Sequence, residues 1–202
     1  ASAKHNRACV LELGGKSPQI IFSDADFAAA LPIVVAGIVQ NGGQTCSAGS
    51  RVLIQQDVFE AFTGELRNRI NALVVGAHEK DLNCGPLISA KQKGRVQEFI
   101  TQAEVEGVRC MAQAQLDPAA PNDGHYVRPA LYAPVPEDSA LAQKEVFGPL
   151  LAVLPFKDEA DAMRIANDTE FGLVAGVWAN DGARRMRVAS ALRCGQVFIN
   201  NY

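Results

Sequence analysis

Apolar and polar residues alternate in two rhythms along this chain. Short runs rich in β-branched and other apolar residues, at residues 10–13, 19–22, 51–55, 151–156, 173–178 and 197–199, have the length and bounding turn residues of strands. Longer stretches between them repeat at helical spacing. Asp24 or Asp26 can cap a helix running toward Gln40, with Pro32 expected to bend or shorten it. Residues 58–73 place Phe59, Phe62, Leu66 and Ile70 on one helical face, and residues 90–106, 158–167 and 182–193 read as further helices. Over residues 114–123 the composition turns to Pro, Asp, Ala and Asn, which predicts an exposed loop inside one domain. Strands that alternate with helices need crossover connections. The fold class is therefore α/β, a mostly parallel sheet with helices on both faces.

Composition narrows the partners more than the fold. A chain of 202 residues can bury a sizeable core as one domain, and 48% hydrophobic with 20% charged residues is ordinary for a globular protein. The net charge of −3 supplies no basic footprint for nucleic acid or an anionic membrane, so partners are expected to be small molecules or protein. The apolar run at 28–39 falls well short of the roughly 20 residues that cross a bilayer, and the N-terminus does not read as a signal peptide. Five scattered cysteines favour reduced thiols in a cytoplasm-like compartment. No Cys-x-x-Cys pair accompanies the three histidines, so no metal site is expected.

The candidate chemistry centres on Cys46. An apolar helical run empties into Asn41-Gly42-Gly43-Gln44-Thr45-Cys46-Ser47, where two glycines free the backbone to bend and leave space beside the sulfur. A free cysteine is most often a small buried hydrophobe, yet polar and small residues surround this one. The spacing alone leaves the two readings even. An attacking thiolate needs help with its proton, and Glu12 is the candidate helper. Ligands of parallel sheets tend to sit beyond the carboxyl ends of strands. Glu12, in a strand-like run, and Cys46, just before one, are expected to meet at one crevice through their loops. Gly14-Gly15 resembles a fragment of a nucleotide loop, but the Gly-x-Gly-x-x-Gly pattern is absent, so no phosphate cradle is expected within the chain.

Three segments in order, Leu11-Glu12-Leu13-Gly14-Gly15-Lys16-Ser17-Pro18, Asn41 to Arg51, and Glu145-Val146-Phe147-Gly148-Pro149, resemble the signature segments of the aldehyde dehydrogenase superfamily. The similarity extends over nearly the whole chain. It implies that residues 1–202 form a catalytic domain truncated at both ends, with the domain that carries most of the dinucleotide contacts preceding it. It also implies NAD(P)-dependent oxidation of an aldehyde to a carboxylic acid in the cytoplasm, through a Cys46 thiohemiacetal and thioester, by a parent that forms a homo-oligomer. The isolated fragment is then expected to be weakly active or inactive. By the same resemblance Glu12 is the general base, and its presence favours water over coenzyme A as acyl acceptor. The Cys46 N–H is one oxyanion donor. Glu145 binds the nicotinamide ribose, Phe147 packs beside the nicotinamide, the Leu13 carbonyl meets its carboxamide, Gly14 completes the cofactor contacts, and Lys16 and Asn41 shape the loops. Lys144 stands where many relatives carry a second acid, and Thr45 and Ser47 flank the nucleophile. Two other readings compete. A cysteine esterase or thioesterase would need a histidine, and His5, His78 and His125 all lie apart from the thiol in sequence; a noncatalytic scaffold domain would need neither.

Overall fold

A computed structural model describes residues 2–202. After an irregular, exposed lead-in, β1 (Pro18–Ile21) enters the interior and is followed by α1 (Phe27–Val39). Asp26 caps α1 through the Ala29 N–H at 3.2 Å. Pro32 lies inside α1 without ending it. The carbonyl that loses its partner there belongs to Ala28, which is exposed and open to water. The chain continues through β2 (Arg51–Gln55), α2 (Phe59–Ala72), β3 (Val74–Val75), α3 (Ala90–Val105), β4 (Cys110–Gln113), β5 (Gln115–Leu116), β6 (Ala130–Tyr132) and the short α4 (Ala140–Gln143). It closes with β7 (Leu150–Phe156), α5 (Glu159–Asn167), β8 (Val174–Trp178), α6 (Gly182–Ala191) and β9 (Gln196–Ile199).

Among the described residues these strands form a seven-stranded sheet in the order β4-β6-β7-β2-β1-β8-β9. Every pairing is parallel except that of β4 with β6. Helices cover both faces. Because side chains alternate along a strand, β2 sends Val52 and Ile54 to one face and Leu53 to the other. Ile21, Val52, Ile54 and Val153 pack with Leu31, Val34 and Ile38 of α1 and Phe62, Leu66 and Ile70 of α2. Ile20, Leu53, Leu154 and Val177 pack on the opposite side with Val96 of α3, Ala162 and Ile165 of α5 and Val188 of α6. Each fully buried Leu, Ile or Val contributes about 1.5–3 kcal/mol relative to exposure, so the two layers lock the central strands from both sides. No helix among the described residues is long and apolar enough to cross a membrane.

Two expectations need correction. Residues 10–13 do not form a strand; Val10, Leu11 and Leu13 are exposed, and the sheet begins only at Pro18. These apolar side chains find no core face to cover them, so the run has no packing to hold it in a strand. Residues 114–123 are not wholly loop. Gln115 and Leu116 pair in parallel with Val74 and Val75 in a two-stranded sheet.

Candidate active site

The site is assembled at the amino ends of β1, β2 and β7, not at carboxyl ends as the strand pattern suggested. With no strand at 10–13, the glutamate segment runs into β1 and does not emerge from a strand. The Cys46 loop likewise leads into β2, and residues 145–149 lead into β7. These strands are parallel and adjacent in the order β7-β2-β1, so their lead-in loops share one rim.

Glycines fuse the loops. A Cβ on Gly15 would strike the carbonyl of Cys46, and one on Gly43 would strike the Gly148–Pro149 peptide. A Cβ on Gly14 would come within 3.1–3.2 Å of the Glu145 carboxylate and 3.0 Å of Phe171. All three segments therefore touch one another through backbone that only glycine permits. Asn41, Gly42 and Gly43 hold left-handed φ values of 52°, 63° and 71°, a sharp reversal that throws the following residues back toward the rim. The turn is pinned by Asn41 Nδ2 donating to the Gln44 carbonyl at 2.9 Å and Gln44 Nε2 donating to the Asn41 carbonyl at 2.8 Å.

Cys46 sits half-buried on this turn. Its N–H donates to no acceptor among the described residues. Glu12 is exposed, three residues before Gly15, so at most about 11 Å of extended chain separates its Cα from the glycine that abuts the Cys46 carbonyl. Leu13 is exposed and Gly14 half-buried beside Glu145. The Glu145 carboxylate accepts from the Gly15 N–H at 2.8 Å, and a carboxylate so engaged keeps lone pairs for further donors. Phe147 adopts φ 59°, an uncommon conformation for an aromatic residue.

The residue-145 segment is held from α3, which the sequence did not reveal. Gln92 donates to the carbonyls of Val146 at 3.3 Å and Phe147 at 2.7 Å, and Arg95 to that of Glu145 at 2.7 Å. Polar residues on an amphipathic helix carry no mark distinguishing such anchors from a solvated face. Beneath the rim lie two buried cations. Burial, and then the neighbouring Arg51, lower the Lys16 ammonium to about 7, against a smaller opposing pull from Glu145; its Nζ has no hydrogen-bond partner among the described residues. Arg51 is fully buried and lowered to about 10 by burial, with Asp168 opposing. It donates to the carbonyls of Lys16 at 2.9 Å, Ile165 at 3.2 Å and Ala166 at 3.0 Å.

The model of the aldehyde dehydrogenase family matches residues 1–202. The chain belongs to this family. Among curated relatives, a betaine aldehyde dehydrogenase from Sinorhizobium fredii is 38% identical over all of this chain and 42% of its own length. Among solved structures, a provisionally named aldehyde dehydrogenase from Burkholderia cenocepacia is 55% identical with a TM-score of 0.96, covering all of this chain and 42% of that one. A betaine aldehyde dehydrogenase from Staphylococcus aureus, solved in complex with NAD+, is 33% identical with a TM-score of 0.92, covering all of this chain and 40% of that one. The chain thus spans about 40% of the length of the relatives it matches.

Proposed function

We propose that this chain forms the catalytic domain of an enzyme that oxidises an aldehyde to a carboxylic acid with NAD or NADP, using Cys46 as nucleophile and Glu12 as general base. The observation that carries the reading is the glycine-mediated contact that gathers the Glu12, Cys46 and Glu145 segments on one rim with the thiol half-exposed among them. Membership of the family and the NAD+ complexes of similar structures support the cofactor.

The residues fit the cofactor. Gly14 brings the backbone up against the Glu145 carboxylate, which accepts from the Gly15 N–H and retains acceptor capacity for ribose hydroxyls. Glu145, Phe147, Gly14 and the Leu13 carbonyl are the groups that would hold it. A bound nicotinamide supplies the hydride acceptor. In the chain's own chemistry, the Cys46 thiolate bonds to the carbonyl carbon, and the oxygen gains the charge, opposite the unpaired Cys46 N–H. Loss of hydride from that carbon leaves an acyl group on the sulfur. Glu12 then takes a proton from water, the hydroxyl adds to the acyl carbon, and the Cys46 thiolate departs with the carboxylic acid released. A cavity of about 230 Å³ is lined by Thr45 and Ser47, the two neighbours of Cys46 in the chain, together with Gln40, Phe198 and Tyr202.

The test uses the full-length protein. Cys46→Ala is expected to abolish aldehyde-dependent NAD(P) reduction, and Glu12→Gln to leave a pre-steady-state burst while slowing steady turnover by about 10² or more. Wild-type turnover in Cys46→Ala would overturn the reading.

A further inference from the structure

The Cys46 loop is gripped from behind by Tyr202. The phenol donates to the carbonyl of Ser47, the residue after the nucleophile, at 2.7 Å. Its ring occupies a socket made of missing side chains. A Cβ on Gly176 of β8 would meet the ring at 3.0 Å, and one on Gly37 of α1 or Gly49 of the loop would meet it at 3.3 Å as well as the Gln19 side chain that packs beside it, at 3.0 Å and 2.5 Å. Three elements distant in sequence thus each present a glycine to one aromatic ring. Phe198 of β9 closes the outer side with ring centroids 5.8 Å apart. The loop is tied to the same place by its own backbone, because the Gly49 N–H donates to the Gly37 carbonyl at 3.0 Å.

From this geometry we propose that Tyr202 is a positioning residue for the nucleophile, seating its ring in the glycine socket so that its hydroxyl fixes the Ser47 carbonyl and with it the orientation of Cys46. The proposal rests on the reading of Cys46 as the nucleophile. The preceding grip, Gly43 on Gly148, sits three residues before the sulfur, and the tyrosine bond sits one residue after it. Cys46 is therefore held between two fixed points. A displacement of about 1 Å at a reacting group can cost on the order of 10² in rate, so removing one of the points should be visible in catalysis before it is visible in folding. Burial pushes the phenol up to about 12, so it remains a donor wherever a cysteine titrates. The same ring walls the cavity of about 230 Å³ beside Thr45 and Ser47, so a shift of Tyr202 would move the thiol and the cavity wall together.

The decisive variant is Tyr202→Phe in the full-length protein, which keeps the ring and removes the bond. The expected result is a fall of about tenfold or more in kcat/KM for aldehyde and a changed pH profile for alkylation of Cys46 by iodoacetamide. The KM for NAD(P) and the thermal midpoint should stay close to wild type. Gly176→Ala should give the same pattern with the hydroxyl intact, because the added methyl displaces the ring. Unchanged kcat/KM and alkylation in Tyr202→Phe would overturn the proposal, and so would a matching loss of cofactor affinity and stability, which marks general loosening. Alkylation needs neither aldehyde nor cofactor, so an altered alkylation profile in a protein whose oxidation survives Cys46→Ala would sink the catalytic reading while leaving the anchoring intact.

Discussion

Lys16 is an ammonium sealed without a partner among the described residues under the candidate rim, and its energetics set a sign. Its folded pKa of about 7 lies below the ordinary value of 10.5. Below pH 7 both folded and unfolded chains carry the proton, and the folded state bears the full cost of a buried charge. Between about 7 and 10.5 the unfolded chain holds a proton that the folded chain has released, so this residue makes stability rise with pH, by at most about 1.4 kcal/mol per unit. Lys16→Met is expected to raise the urea midpoint at pH 6.5 and to remove that rise toward pH 9.5. Parallel curves for variant and wild type would show that the ammonium is not buried. Lysine was legible in the sequence only as part of a motif. Its burial was not, because nothing in Gly14-Gly15-Lys16-Ser17 distinguishes a side chain turned inward from one turned to solvent.

At the scale of elements, periodicity located what is long and buried, and failed on what is short or borrowed. The helices at 58–73 and 90–106 and the strand at 51–55 match α2, α3 and β2 closely, because each buries one regular face. The pairing of Val74–Val75 with Gln115–Leu116 depends on a partner about forty residues away, which no local pattern contains. The loop contacts were half legible. Gly42-Gly43 announced a bend, but not that Gly43 would rest on the Gly148–Pro149 peptide. Gly43→Ala tests that docking against an internal control, since Gly107 has the same φ of 71° with open space where a Cβ would stand. Strain alone predicts about 1–2 kcal/mol for Gly107→Ala. Gly43→Ala adds a backbone collision and is expected to cost about 2–4 kcal/mol and to slow the burst at Cys46. Equal losses in chemical denaturation would mean that the two loops are not packed together.

For the molecule as a whole, Arg51 is the point where the site and the two-layered core share one residue. It opens β2 directly after the Cys46 loop, and its guanidinium crosses under the Lys16 carbonyl to reach Ile165 and Ala166 near the end of α5. Three carbonyls from two segments are satisfied by one planar fork, and the positive group near a helix carboxyl terminus is favoured by the helix dipole. Arg51→Met fills much of the volume but leaves the carbonyls of Lys16 and Ala166 without this donor in the interior, while that of Ile165 keeps the Asp168 N–H at 3.3 Å. Each buried acceptor left unsatisfied costs about 1–3 kcal/mol, so the two together should lower the thermal midpoint of a domain of this size by roughly 10 °C. Arg51→Lys should recover little of it, since an ammonium cannot reach three acceptors set to a fork. The loss of the guanidinium also removes a charge that disfavours protonated Lys16, so in Arg51→Met the stability gained with rising pH should begin at a higher pH than in wild type. Thermal melts across pH 6.5–9.5 measure both effects. Full recovery by lysine, or an unmoved onset, would separate Arg51 from the rim it underlies.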